Sequence, residues 1–319
     1  MASYAGYNPS QEIPNLEGKV ILITGGTNGI GKETVLELAK HNPAHIYFTG
    51  RNYSAAAEVI ASCQVGGKVA TFIPCDMTDL ASMRAAAETF ASQEDRLDIL
   101  IANAGVMALP PGLTKDGYEI QFGINHMANA ALLLHLLPIL ARTADRDPDA
   151  DVRFVALTSL GYRAHPAAGI DFETLRTEQE WAPMGTWSRY GQAKLANILT
   201  ARELGRRFPR ITSVAIHPGV VKTSLVTELG FWQRLLVYVT NPGGMMAPRQ
   251  GCYNTLWAAT SKDVRARMAE TVTTVCGRTS GVALFEPVGQ LHGGDTACWD
   301  EELASRLWEW TEKELGVFA

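Results

Sequence analysis

The chain predicts a single-domain α/β fold, a doubly wound parallel sheet with helices on both faces, and three observations carry that reading. Apolar runs of strand length recur along the first two thirds of the sequence, helix-length segments separate them, and a glycine-rich turn joins the first run to the first helix. Continuous apolar runs suit strands buried on both faces. The helices between them supply the crossovers that parallel strands need.

In chain order, strands are expected at Val20–Thr24, His45–Thr49, Val69–Pro74, Leu97–Ala102, Val152–Thr158 and Ser213–His217. Helices are expected at Lys32–His41, Leu80–Ser92, Asn125–Ala141 and Trp187–Arg207. No internal repeat or low-complexity linker divides the chain, so residues 19–319 read as one domain behind an extension over residues 1–18.

Two segments, 161–186 and 224–249, follow strands but break the rhythm. Ligands of doubly wound folds sit outside the carboxyl ends of the strands, so both segments are expected to wall a substrate. In the second, Phe231, Trp232, Leu235, Leu236 and Tyr238 fall on a short amphipathic helix, with Gly243-Gly244 beyond it as a hinge. This helix is expected to close as a lid; the alternative is a static helix packed on the core. The aromatic residues Trp181, Trp187, Phe231, Trp232 and Tyr238 near this edge fit either an apolar ligand or ordinary core.

With 319 residues and 46% hydrophobic content, the chain can bury a sizeable core. A net charge of −5 leaves no electrostatic footprint for nucleic acid or an anionic membrane, so neither is an expected partner. Cys63, Cys75, Cys252, Cys276 and Cys298 are scattered, with no pair at metal-ligand spacing. That usage fits reduced thiols and a cytoplasmic location. His126, His165 and His217 also lack partners at metal spacing, so no metal is expected. The start, MASYAGYNPSQEIPNLEGK, shows neither a basic n-region nor an apolar h-region. The longest apolar stretches, Ala128–Ala141 and Phe231–Val239, fall short of a bilayer span, so no transmembrane segment is expected.

The first strand runs into Thr24-Gly25-Gly26-Thr27-Asn28-Gly29-Ile30-Gly31-Lys32. Glycines here let the backbone turn tightly and approach a pyrophosphate, whose charge the following helix N-terminus then holds. The spacing Gly25-x3-Gly29-x-Gly31 differs from G-x-G-x-x-G and resembles the T-G-x3-G-x-G of the short-chain dehydrogenase/reductase family. The resemblance extends in order over about 200 residues. It takes in Asn103-Ala104-Gly105 after the fourth strand and Asn125 at the start of the next long helix. Ser159 follows at the end of the fifth strand, then Tyr190-x3-Lys194, and Pro218-Gly219 with Val221 and Thr223 after the sixth. The wording NAGVM, INHMAN, YGQAKLAN and HPGVVKT is closest to the retinol-dehydrogenase-like branch, without the membrane anchor frequent there.

The resemblance implies a Rossmann-type fold and an oxidoreductase with Asn125, Ser159, Tyr190 and Lys194 as its catalytic set. It further implies cofactor contacts from Gly25, Thr27, Asn28, Gly29, Ile30 and Gly31, from Asp76 and Met77, and from Asn103, Ala104 and Gly105. Tyr190, Lys194, Pro218, Gly219, Val221 and Thr223 complete that set. Lys194, one helical turn beyond Tyr190, is expected to lower the tyrosine pKa together with the positive charge of the oxidised nicotinamide, and to hold ribose hydroxyls. Ser159 is expected to bond the substrate oxygen, and Asn125 to hold a water linking Lys194 to solvent.

The second strand ends Thr49-Gly50-Arg51-Asn52, with no acid to repel a 2′-phosphate. Arg51, beside Asn52 and assisted by Lys32, therefore predicts NADP(H). The function expected is hydride transfer between the nicotinamide and a carbonyl or alcohol of a fairly large apolar small molecule. The alternatives are reduction of a conjugated C=C bond and non-catalytic sensing of NADP(H). The resemblance implies that helices Asn125–Ala141 and Trp187–Arg207 pair across a homodimer, and the first is apolar on nearly every face; the alternative is burial of that face within the monomer.

Overall fold

The computed structural model describes residues 6–63, 69–180, 185–227, 230, 234, 239, 245–274 and 284–316. Trp181, Phe231, Trp232, Leu235, Leu236, Tyr238, Gly243, Gly244 and Cys276 lie outside the described residues, so the expected lid helix and its hinge do too.

Eight strands form one sheet in the order β3-β2-β1-β4-β5-β6-β7-β8. They are β1 Val20–Ile23, β2 His45–Gly50, β3 Ala70–Pro74, β4 Ile99–Ala102, β5 Val152–Leu157, β6 Ile211–Ile216, β7 Leu284–Glu286 and β8 Gln290–His292. The first seven run parallel, and β8 pairs antiparallel with β7. The expected doubly wound α/β fold is present. Every residue of β1, β4, β5 and β6 is buried, which is why these strands read as unbroken apolar runs.

Among the helices are α1 Pro9–Glu12, α2 Gly29–Leu38, α3 Tyr53–Cys63, α4 Leu80–Ala91, α5 Ile120–Phe122, α6 Ala128–Asp145 and α7 Thr186–Arg207. A π-helical turn, Gly123–Met127, joins α5 to α6, so the helix expected from Asn125 starts earlier and Asn125 lies inside that turn. Later in the chain come α8 Ser224–Thr227, α9 Pro248–Gly251, α10 Tyr253–Thr260, α11 Asp263–Thr274 and α12 Glu301–Leu315. The sequence reading named neither α3, β7 and β8 nor the helices beyond residue 249. Residues 6–18 pack on the domain through Ile13 and Leu16, both in the core.

One core fills each face of the sheet. The first lies among α4, α6, α7 and α12, and the second among α2, α3 and α10. Helix α12 lays Ala304, Leu307, Trp308, Thr311 and Leu315 against α6 and α7. Arg202 of α7 reinforces the contact by bonding the Cys298 carbonyl at 3.3 Å and Glu301 at 2.8 Å. Each large apolar side chain buried there contributes about 1.5–3 kcal/mol.

The continuous helix 120–145 is long and apolar enough to cross a membrane, longer than its sequence suggested, but 83% of its most apolar window is buried inside the protein. Its apolar faces are covered by α4, α7 and α12 of the same chain. Burial within the chain thus accounts for most of this helix's apolar surface, which was the alternative to a homodimer contact.

Candidate active site

The carboxyl ends of β1 to β6 open onto one cavity of about 310 Å³. It lies across the place where strand order reverses between β1 and β4, as the expected fold requires. Gly25, Thr27, Asn28, Gly29, Ile30 and Gly31 line it from the first turn, and Arg51, Asp76 and Met77 from the ends of β2 and β3. Asn103, Ala104 and Gly105 line the middle, and Tyr190, Lys194, Pro218 and Thr223 bring in α7 and the segment after β6.

The glycine turn is shaped for a close approach. A Cβ on Gly31 would stand 2.2 Å from the Gly25 carbonyl oxygen, so no side chain fits there. Asn28 caps α2 by accepting from the Gly29 N–H at 2.7 Å, which fixes a helix N-terminus at the cavity. Behind the turn, the Thr24 hydroxyl accepts from the N–H groups of Asn103 and Ala104 at 3.0 and 2.9 Å and donates to Asn129 Oδ1 at 2.8 Å. Asn103 Nδ2 donates to the Thr24 carbonyl at 2.7 Å. Thr24 and Asn129 thus hold the two central strand ends together, a function the sequence reading did not assign them.

Asn125 is fully buried, and its side chain clasps the backbone of Val106, accepting from its N–H at 2.6 Å and donating to its carbonyl at 3.0 Å. It does not line the cavity, and its side chain sets the loop after β4. A Cβ on Gly105 would meet Asn125 Oδ1 at 2.6 Å and Lys194 Nζ at 3.3 Å, which explains a glycine between them.

Tyr190 and Lys194 face the cavity from α7, with Lys194 Nζ 5.8 Å from the Tyr190 ring centroid. Lys194 Nζ donates to the Leu157 carbonyl at 3.1 Å, and the Thr158 hydroxyl donates to the Lys194 carbonyl at 2.8 Å. Burial pushes the Tyr190 hydroxyl up to about 12, partly offset by its hydrogen bond with Ser159. Burial pushes the Lys194 ammonium down to about 8. Desolvation sets the direction of both shifts here; the expected lowering of Tyr190 draws on the Lys194 charge together with that of a bound oxidised nicotinamide.

Other expectations divide. Asp76 reaches the cavity with its carboxylate accepting from the N–H and hydroxyl of Thr78 at 3.0 and 2.9 Å, and Lys115 stands 3.4 Å away. Burial opposes ionisation there, but these partners hold its pKa below the usual carboxylate value. Arg51 is exposed at the cavity rim.

Asn52 does not reach the cavity; it accepts from the Ala55 N–H at 3.0 Å in the first turn of α3. Lys32 and Ser159 are not lining residues, and Ser159 Oγ accepts from the Gly161 N–H at 3.1 Å. Gly219 and Val221 do not line the cavity; Val221 is buried, and a Cβ on Gly251 would stand 2.5 Å from its side chain. The described lining also includes Thr49, Gly50, Cys75, Thr78, Val106, Ile124, Leu157, Thr158 and Leu225, which sequence reasoning missed. Most flank the expected residues at the same strand ends, whereas Ile124 comes from the π-helical turn and Leu225 from α8.

Of the segment 161–186, expected as a substrate wall, the described residues 161–180, 185 and 186 do not line this cavity. They form a buttress: Gln192 of α7 donates to Gln179 at 2.7 Å, Gln179 to Thr174 at 2.8 Å, and Thr174 to Asp171 at 2.7 Å. His126 and His217 are buried as expected of packing residues, and burial pushes both down to about 3.

Residues 19–144 match the family described as short chain dehydrogenase. The short-chain dehydrogenase/reductase drtF of Aspergillus calidoustus is 35% identical over 316 residues, covering 95% of each chain. Retinol dehydrogenase 12 of Mus musculus is 36% identical over 255 residues, covering 78% of this chain and 75% of that one. Among solved structures, a putative NAD(P)-dependent gluconate 5-dehydrogenase from Beutenbergia cavernae, with bound NADP, shares the fold. It superposes with a TM-score of 0.63 at 19% identity, covering 86% of this chain and 97% of that one. The chain belongs to the short-chain dehydrogenase/reductase family of NAD(P)(H)-linked oxidoreductases, in its retinol-dehydrogenase-like branch.

Proposed function

We propose that this protein is an NADP(H)-dependent oxidoreductase acting on a carbonyl or alcohol of a fairly large apolar small molecule, with Tyr190 as general acid and base. One observation carries the reading: Tyr190 and Lys194 open onto the same cavity as the glycine turn and Arg51. A dinucleotide bound there supplies or accepts the hydride. Gly31, too close to Gly25 for any side chain, and the capped N-terminus of α2 suit the pyrophosphate. Arg51 at the rim after β2 suits a 2′-phosphate, and Lys194 suits the ribose hydroxyls.

In the direction of reduction, the substrate carbonyl carbon receives the hydride and its oxygen takes the Tyr190 hydroxyl proton. The tyrosinate left behind is stabilised by the Lys194 ammonium and regains a proton from solvent. Ser159, beside Tyr190, orients the substrate oxygen. The apolar character of the substrate rests on a small cluster of Ala108 and Val226 with Met107, Trp187 and Met245. Trp187 lies three residues before Tyr190 and so on its face of α7. Two relatives are named for retinol, itself an apolar alcohol.

The test is incubation with NADPH and a panel of apolar aldehydes, ketones and enones, following absorbance of the reduced nicotinamide. Consumption with the carbonyls is expected. Consumption with none of the panel, or only with C=C bonds of enones, overturns the reading.

A further inference from the structure

Beside Tyr190, on the same helix, lies a charged side chain that the chemistry does not use. Arg189 is 1% exposed and pairs at 3.2 Å with Glu119, which is 0% exposed. An ion pair this deep gives little net stability, because both charges lose their hydration. The guanidinium does more than neutralise Glu119. Its Nη2 donates to the Leu109 carbonyl at 3.0 Å and to the Thr186 hydroxyl at 3.2 Å. One planar group therefore ties together the loop after β4, the cap of α5 and the first turn of α7.

Two local facts show what that tie holds. The first turn of α7, which precedes Tyr190, has no side-chain cap. Thr186 is held instead through its hydroxyl by Arg189 and through its carbonyl by Gln121 Nε2 at 2.9 Å. The loop after β4 is strained next to its anchor: Ala108 is buried with φ +56, a backbone state costly for a side-chain-bearing residue. Ala108 belongs to the apolar cluster with Met107 and Trp187. Asn125 fixes one end of that loop at Val106, and Arg189 fixes the other at Leu109.

We infer that Arg189 is a positioning residue that fixes the apolar substrate wall, Met107 and Ala108 on one side and Trp187 on the other, relative to Tyr190. Glu119 is its charge partner and acts on stability. The inference rests on the proposed reaction for its kinetic readout but has a second readout independent of turnover.

Arg189→Lys and Glu119→Gln separate the two functions. Lysine keeps a cation beside Glu119 but lacks the fork that reaches Leu109 and Thr186 together. Glutamine keeps an acceptor for Arg189 and leaves that fork in place. For Arg189→Lys we expect a near-native melting temperature and unchanged NADPH affinity. Amide exchange over 106–112 in the NADPH complex should rise roughly tenfold, and KM for an apolar aldehyde should rise by about the same factor with a smaller fall in kcat. For Glu119→Gln we expect the melting temperature to fall by roughly 5–10 °C, with wild-type exchange over 106–112 and wild-type KM in the folded enzyme. Unchanged exchange over 106–112 in Arg189→Lys overturns the inference, and so does an even rise across the whole core. If Arg189→Lys does not fold, Glu119→Gln decides: loss of protection over 106–112 along with stability overturns it. If no carbonyl is reduced by the wild type, the proposed reaction falls while the exchange pattern still judges Arg189.

Discussion

Lys194 Nζ lies 5.8 Å from the Tyr190 ring centroid and is bonded to the carbonyl of Leu157, so a cation is held beside the tyrosine by backbone rather than by an acid. Both groups are buried, and each is pushed toward its neutral form, Tyr190 up to about 12 and Lys194 down to about 8. Charge at this site is thus costly until a ligand shares it.

Tyr190→Phe removes the proton donor while keeping the ring. Turnover should fall by ~10²-fold or more, with NADPH affinity nearly unchanged. Steady-state kinetics paired with fluorescence titration checks both halves, and near-wild-type turnover would dismiss the tyrosine.

Arg51→Ala should weaken NADPH by about 1.5–3 kcal/mol, roughly one to two decades, and NADH far less, because only NADPH carries the 2′-phosphate. Parallel titrations with the two cofactors decide it. Equal losses would remove Arg51 from phosphate recognition.

The pH profile follows from Lys194. Carbonyl reduction needs Tyr190 protonated, which holds to well above neutrality, and Lys194 charged, which holds below about pH 8. The kcat/KM for reduction should therefore be flat near neutrality and fall as pH rises past about 8. A profile that instead rises through pH 8 contradicts the assignment of the cation.

Lys194 should also cost stability. Its folded-state pKa of about 8 lies below its ordinary value of 10.5, so between those values the unfolded chain holds more protons and stability rises with pH. Below that window the penalty is complete and corresponds to about 3 kcal/mol. Lys194→Met should be inactive and more stable at pH 7 by about 2–3 kcal/mol, since the Leu157 carbonyl keeps its bond from Asn197 Nδ2. Chemical denaturation at pH 7 and pH 10 measures this, the gain shrinking at the higher pH. A less stable variant at pH 7 would refute it.

Light scattering at micromolar concentration should give one 34.6 kDa chain, because α12 covers the helices α6 and α7 from within. A dimer mass would show that another surface associates.

The sequence displayed β1, β4, β5 and β6 because each is buried on both faces, which leaves an unbroken apolar run; β2 is buried along its middle, and the edge strand β3 only in part. The hairpin of β7 and β8 was not legible because three-residue strands contain too few positions to show a period. Helix α12 was legible but unread: Asp300 precedes it as a cap, Ala304, Leu307, Trp308, Thr311 and Leu315 keep helical spacing, and Gly316 follows. The site residues were found through glycine spacing and the Tyr190–Lys194 pair. Sequence could not distinguish a residue facing the cavity from one bracing it, as Asn125, Asn52 and Val221 show. Nor could it weigh desolvation, which pushes both Tyr190 and Lys194 toward their neutral forms.

The helix that completes the layer over α6 and α7 comes after all eight strands in the chain. During synthesis, the first six strands can pair while the faces of α6 and α7 destined for α12 are still open. A nascent chain at that stage presents Leu- and Ala-rich surface to other unfolded chains and to chaperones. Arrest or cleavage between β8 and Glu301 would leave the cavity residues encoded but the faces of α6 and α7 that α12 covers open. Quality control of this protein is thereby tied to a segment that touches none of its chemistry.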